Sequence, residues 1–272
     1  MSETTIVALD AMGGDNAPQE IVKGAVNAIK QRKDIKVLLV GKEEILKDTL
    51  KAYEYPKEQL EIVNATEEIE MAEPPVLAIR RKKDSSMSVA MKLVHDKKAD
   101  AVVSAGNSGA VLVGGQILVG KIKGVERTPL APLIPTAKGV SLLIDCGANV
   151  DARPSHLVQF AKMGSIYMEH VIGKKNPTVG IVNIGAEEEK GNALVKETFP
   201  LLKACKDINF IGSVEARDIP SGAADVIVCE AFVGNVILKL YEGVAGTLLS
   251  EVKKGMTVSY THLRAHETSA HL

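Results

Sequence analysis

The chain has 272 residues, with 33 Lys and Arg against 34 Asp and Glu, 3% aromatic residues and no Trp. That length holds one large domain or two small ones, and the core must be aliphatic. A net charge of −1 excludes a global attraction to nucleic acid, and three scattered cysteines, Cys146, Cys205 and Cys229, exclude a disulfide framework.

In chain order, short β-branched runs alternate with helical periodicity. TTIVALD ends in DAMGGDNAP, and a helix over 18–32 follows. IKVLLVG and a helix over 43–53 come next, then LEIVNA and a helix over 87–97. ADAVVSAG leads into a helix over 109–121. The segment 127–138, RTPLAPLIPTAK, holds three prolines and reads as an ordered excursion or a sheet-edge arm. VSLLIDCG precedes a helix over 154–172, and TVGIVNIG one over 191–206. INFIGSV and ADVIVCEA close the strand series before a last helix over 235–254. Strands apolar on both faces and separated by helices predict an α/β fold, a mainly parallel sheet flanked by helices on both faces.

Two stretches need separate readings. The window 101–120 carries no charge and has the length of a membrane span. Ser104, Asn107, Ser108 and Gln116 with several glycines instead read as a strand, a tight loop and a buried helix. The N-terminus lacks the basic and apolar regions of a signal peptide. The last sixteen residues, 257–272, lose the apolar period. His262 and His266 lie one helical turn apart, but no cysteine or acidic partner is placed to complete a zinc site. The expectation is a single α/β domain over 1–256, itself incomplete, followed by a foreign or disordered tail over 257–272.

Chemistry concentrates at five strand ends: LDAMGGDN, SAGNSGA, IDCGANVDARP, NIGAEEEKGN and CEAFVGN. In a parallel α/β sheet, ligands bind beyond the carboxyl ends of strands. Glycine lets backbone approach a ligand, and helix N-termini offer free N–H groups to an anion. The set suits a phosphate held by neutral amides, although in any one loop the glycines could simply end a strand. The sequence has no GxGxxG, no GxxxxGK[ST] and no GxSxG. His95, His156 and His170 fall on helical patterns and read as surface or capping residues. Cys146 and Cys229 stand at strand ends, where buried thiols are usually inert.

These loops resemble those of a known family, the bacterial phosphate acyltransferases of phospholipid synthesis, the PlsX family. The segments that carry the likeness are VALDAMGGDNAPQEIVKGA, RRKKDSSMSVAM, ADAVVSAGNSGA, LIDCGANVDARPSHLVQFAKMG, VNIGAEEEKGN and AFVGNVILK, which track the chain from Ile6 to Lys254. The resemblance implies a fold similar to phosphate acetyltransferases and isopropylmalate dehydrogenase-like proteins. It implies transfer of a fatty acyl group from acyl carrier protein to inorganic phosphate, with no cofactor and no metal. A cytoplasmic homodimer is expected, with a peripheral contact at the inner face of the membrane and no nucleic-acid partner.

The roles it implies are these. Gly106, Asn107, Ser108 and Gly109 cradle phosphate. Asp10, Gly13, Gly14, Asp15 and Asn16 shape the opposite wall. Gly147, Ala148, Asn149 and Asp151 supply backbone donors and a polar contact, with Asn149 among the catalytic candidates. Asn183 and Lys190 hold the anion or stabilise the leaving thiolate, and Gly234 and Asn235 close the rim. The basic run Arg80, Arg81, Lys82 and Lys83 offers a docking patch to an acidic carrier protein, unless it is a solvated helix face. Glu230-Ala231 stands where the family usually has Asp-Gly, and Ala cannot easily take a positive φ. Two other readings share the architecture: a decarboxylating NAD-dependent dehydrogenase and a non-catalytic phosphate- or acyl-binding module.

Overall fold

The computed structural model describes residues 4–268, with side chains described through 256. The chain divides into two compact units, Met1–Thr128 and Pro129–Leu272.

The first unit is a doubly covered parallel sheet. Its elements are β1 (Thr5–Asp10), α1 (Gln19–Gln31), β2 (Ile35–Gly41), α2 (Glu43–Leu50), β3 (Leu60–Asn64), α3 (Pro75–Arg81), α4 (Ser86–His95), β4 (Ala101–Val103) and α5 (Ser108–Gly114). The strand order is β3-β2-β1-β4, every pair parallel. Alternation along β2 sorts the core into two layers. Val37 and Leu39 pack with Val22, Val26, Ile29 and Leu46 of α1 and α2. Leu38 and Val40 pack with Ala8 and with Ala90 of α4. Helix α5 continues as a π-helical turn over Gly115–Val119.

The second unit carries a mixed sheet. Its elements are β5 (Leu133–Thr136), β6 (Gly139–Ile144), α6 (Pro154–His170), β7 (Thr178–Asn183), α7 (Ala193–Ala204), β8 (Asn209–Glu215), β9 (Val226–Val228) and α8 (Ala231–Thr268). The order is β5-β6-β9-β7-β8, with only β5 antiparallel. Leu142, Ile144, Phe160, Met168, Ile181 and Val226 form the core beneath α6 and α7. Leu143, Val214, Ile219 and Ile227 form the opposite layer, against which Val233, Ile237, Leu238 and Tyr241 of α8 rest.

The eight strands expected from sequence are all present, distributed over two sheets. The proline-rich segment is the sheet-edge arm: β5 pairs with β6 from Leu133↔Leu142 to Thr136↔Gly139, and its Pro135 sits on the edge where a missing N–H costs no ladder bond. Helix α3 was not expected. It is seven residues long, too short for a periodic signal, and begins at Pro75, the first-turn position that tolerates proline. The uncharged window 101–120 is β4, a loop and the helical stretch Ser108–Val119, but that helix is half-buried and not buried: Ala110 and Gly114 are enclosed, while Ile117 is 54% exposed. Among the described residues, the helix long and apolar enough to cross a bilayer by length and composition is Ala231–Met256 within α8. The side chains of 257–268 and the whole of 269–272, on which the tail and His262–His266 expectations fall, lie outside the description.

Candidate active site

In the first unit, two strand-end loops touch. Asp10 closes β1 and is 1% exposed. Its Oδ2 accepts from Ser104 Oγ at 2.7 Å and its Oδ1 from Met12 N at 3.3 Å. Ser104, at the end of β4, in turn accepts from Gly106 N at 3.1 Å. The carboxylate thus ties the β1 loop to the β4 loop. Gly13 is required there, because a Cβ would strike Asp10 Oδ2 and come within 3.0 Å of Gly106 N. Gly14 adopts φ +109° with Ala105 O beside it, a conformation that L side chains rarely take. So many small residues follow β1 because another backbone lies against them.

Asn107 is the N-cap of α5: its Oδ1 accepts from Ala110 N at 3.0 Å. Its amide donates to Met71 O and Glu73 O at 3.0 Å each, and to Glu70 O at 3.4 Å. Asn107 therefore spends its donors on the 70–73 turn and positions the helix start. The backbone N–H groups of Ser108 and Gly109 meet no acceptor among the described residues, and neither do those of Gly14, Asp15 and Asn16. Five donors are open at the carboxyl edge of this sheet.

The second unit treats its loop differently. Asp145, after β6, is fully buried. Its Oδ1 accepts from Leu130 N at 2.9 Å and from Gly147 N and Ala148 N at 3.2 Å. Its Oδ2 accepts from Asn149 N at 2.8 Å and Asn149 Nδ2 at 2.7 Å. The N–H groups of Gly147, Ala148 and Asn149 are engaged by the loop's own carboxylate. Asp151 is exposed just beyond. The start of α8 presses on the same place. A Cβ at Gly234 would fall on Asp145 O and lie 2.8 Å from Cys146 Cα. Glu230 caps α8, accepting from Phe232 N at 2.6 Å and Val233 N at 3.0 Å. Ala231 is absent from the residues with positive φ, so the strain expected of it does not arise. Asn235 is exposed on the first turn of α8. Asp145 was not singled out from sequence, Ser104 was read only as a polar residue of the uncharged window, and Glu230 only as a departure from the family pattern. The signal was there for Asp145, a lone carboxylate closing a strand directly before a Gly-Ala-Asn turn.

At the end of β7, Asn183 is 7% exposed. Its amide donates to Ser213 Oγ at 3.0 Å and Lys190 O at 3.2 Å, and its Oδ1 accepts from Ile184 N at 2.8 Å. It closes the 184–191 loop upon itself. Lys190 is exposed, with Nζ 2.8 Å from Glu187 Oε1, and that hydrogen bond holds the ammonium pKa above its ordinary value. Burial, with the Asp145 charge second, pushes the Cys146 thiol up to about 12. Burial raises Cys229 well above the usual thiol range too. Both stay protonated near neutrality, where a thiol is a poor nucleophile. His156 Nδ1 accepts from Arg153 N at 3.1 Å, a capping role.

The basic run splits. Lys82 turns inward, donating to Glu68 O at 2.8 Å and pairing with Glu73. Arg80, Arg81 and Lys83 are exposed and make no ion pair among the described residues. Val76 and Leu77 of α3 lie beside them, 44% and 48% exposed.

The sequence model of a family described as fatty acid synthesis protein matches residues 5–265. A phosphate acyltransferase of Clostridium perfringens is 51% identical over 93% of this chain and 75% of its own length. One of Alkaliphilus oremlandii is 54% identical over 91% and 73%. In fold, the chain is similar to the EutD phosphotransacetylase from Staphylococcus aureus, with TM-score 0.64 and 17% identity over 90% of this chain and 83% of that one. It is similar also to a phosphotransacetylase from Streptococcus pyogenes, with TM-score 0.66 and 15% identity over 89% and 82%. A 4-hydroxythreonine-4-phosphate dehydrogenase from Klebsiella pneumoniae shares the architecture at TM-score 0.52 and 16% identity over 88% and 85%. The loops that carry the likeness in sequence are those that the fold gathers at its strand ends, and the chain belongs to the fatty acid synthesis protein family, that of the phosphate acyltransferases it matches.

Proposed function

We propose that this phosphate acyltransferase takes a fatty acyl group from the thioester of acyl carrier protein and gives it to inorganic phosphate, as a cytoplasmic homodimer. A phosphate oxygen attacks the thioester carbonyl carbon. The carbon–sulfur bond breaks, the carrier leaves as a thiolate that takes up a proton, and acyl phosphate remains. Phosphate is its own nucleophile, so the protein supplies position and charge stabilisation. Protonated, buried Cys146 and Cys229 fit a mechanism with no thiol nucleophile.

The observation that carries this reading is the set of open N–H groups on Gly14, Asp15, Asn16, Ser108 and Gly109. Neutral donors at a helix start hold an anion without a basic cluster. Asp10, Gly13, Gly106 and Asn107 act by positioning these donors. Asn149 and Asn183 keep their loops in shape, while Lys190 and Asn235 are the exposed groups assigned to the leaving thiolate or the anion. Arg80, Arg81 and Lys83 steer the acidic carrier protein. Val236, Leu240, Val244 and Leu248 recur every four residues on the exposed face of α8. A second copy is the occupant proposed for that stripe, and residues it leaves uncovered would meet the membrane surface.

The test is initial rate against phosphate concentration with an acyl carrier protein thioester. Ser108→Pro deletes one open N–H at a position where a helix tolerates proline. Losing a charge-assisted hydrogen bond costs roughly 1.5–3 kcal/mol, so the KM for phosphate should rise about tenfold or more, with Ser108→Ala near the parent. Equal phosphate dependence in the parent and Ser108→Pro would remove this helix start from the site. Charge reversal at Arg80 and Arg81 should raise the KM for the carrier thioester at low salt and lose that effect at high salt. A fall in kcat with unchanged KM would contradict the docking role.

A further inference from the structure

A cavity of about 490 Å³ opens at the carboxyl ends of β7 and β8, beside the first turn of α8. Its size is that of a small-molecule site. Val182, Ile184, Val195, Ala216 and Val233 give it apolar walls. Ile184 is 79% exposed, a large β-branched residue left facing solvent at the end of a strand otherwise packed in the core. The cation that lines it is already paired: Arg217 Nη2 lies 3.1 Å from Glu215 Oε1. An anion gains little from such walls, whereas each buried methylene improves binding roughly fourfold.

We infer that this cavity holds part of the fatty acyl chain, so that Ile184, Val195 and Ala216 set the preferred chain length. The inference rests on the acyltransferase reading and adds to it a place for the apolar half of the substrate. That half must be sheltered from water while the thioester end reacts, and the cavity stands at a sheet edge where ligands of parallel α/β folds bind. A pantetheine arm would find partners in Asn192, Glu215 and Arg217, which also line the cavity, but it is the same in a long-chain and a short-chain carrier thioester, so such an occupant predicts equal effects on both chain lengths.

Ala216 is exposed at the start of a short 3-10 turn, so a larger side chain there can enter the cavity without entering the core. Ala216→Phe is assayed against the parent with hexadecanoyl and butanoyl thioesters of acyl carrier protein. Displacing about two methylenes should raise the KM for the hexadecanoyl donor roughly tenfold. The butanoyl donor and phosphate should keep their parental KM values. Ile184→Ser, at an exposed position, should weaken the long chain selectively too. Equal effects on both chain lengths, or none, would overturn the inference. If the parent does not turn over carrier thioesters, the donor reading fails, and calorimetric titration with hexadecanoyl and butanoyl phosphates decides separately. Selective weakening of hexadecanoyl phosphate by Ala216→Phe supports the cavity, and unchanged affinity overturns it.

Discussion

The loops after β1 and after β6 look alike in sequence, each an aspartate closing an apolar strand and small residues following, yet the two carboxylates engage very different numbers of their own loop's N–H groups. Asp145 turns both oxygens into its own loop and uses the N–H groups of Gly147, Ala148 and Asn149. Asp10 reaches sideways to Ser104 and leaves the N–H groups of Gly14, Asp15 and Asn16 open. A glycine-rich loop is therefore an anion site only if its donors are not already taken. The nearest carboxylate decides that, and glycine content does not.

The largest expected effect follows from this contrast. Asp145→Ala removes one acceptor from five donors in a fully buried place. Hydrogen bonds to charged groups contribute roughly 1.5–3 kcal/mol each and are not additive within one network, so a loss above about 3 kcal/mol is expected. Asp10→Ala removes two bonds, one of them long, and should cost less than half as much while lowering activity more steeply than stability. Urea denaturation and phosphate saturation of the two variants make the comparison. Equal destabilisation would mean that the β1 loop is as internally organised as the β6 loop.

A second contrast is in titration. All three cysteines lie in the second unit and none in the first. The folded pKa of Cys146 is raised to about 12 from an ordinary value of 9.0. A raised folded pKa gives stability that is fully present below the unfolded value and lost as pH climbs toward the folded one. The second unit should loosen from about pH 9 upward, and amide exchange there should quicken while the first unit holds. Cys146→Ala should flatten that slope. Parallel loosening of both units would trace the alkaline limb to other groups.

The strands and the longer helices were legible because a continuous apolar run of five to seven residues has few other homes. Their division between two sheets was not, since pairing partners leave no mark on a single sequence and β4 and β9 are only three residues long. At the site, the loops were legible from Gly and Asn, but the direction of each side chain was not. Asn107 was expected to face an anion with its amide, and that amide donates to the carbonyls of the 70–73 turn. The basic run was read as four equivalent charges, and Lys82 proves to be a buttress for Glu73 and Glu68. Composition names the chemistry available at a strand end, and only packing assigns it.

The smallest expected effect concerns Glu230-Ala231, where the family pattern is Asp-Gly. Glycine at 231 would be needed if the backbone took a positive φ, and it does not. Ala231 N instead donates to Asn149 O at 3.2 Å, an interaction open to any residue but proline. Glu230 satisfies two N–H groups of the first turn of α8, a task that Asp performs with a shorter side chain. Gly in place of Ala near a helix start costs at most about 1 kcal/mol. The double variant Glu230→Asp with Ala231→Gly should therefore stay within about 1 kcal/mol of the parent in urea and within about twofold in turnover. The cap should survive, visible as unchanged amide protection of Phe232 and Val233. A gain in activity well beyond twofold would mean that the loop presses on the substrate more closely at 231 than its φ requires. A loss of that size would mean that the longer Glu230 side chain is fitted to this chain's own α8.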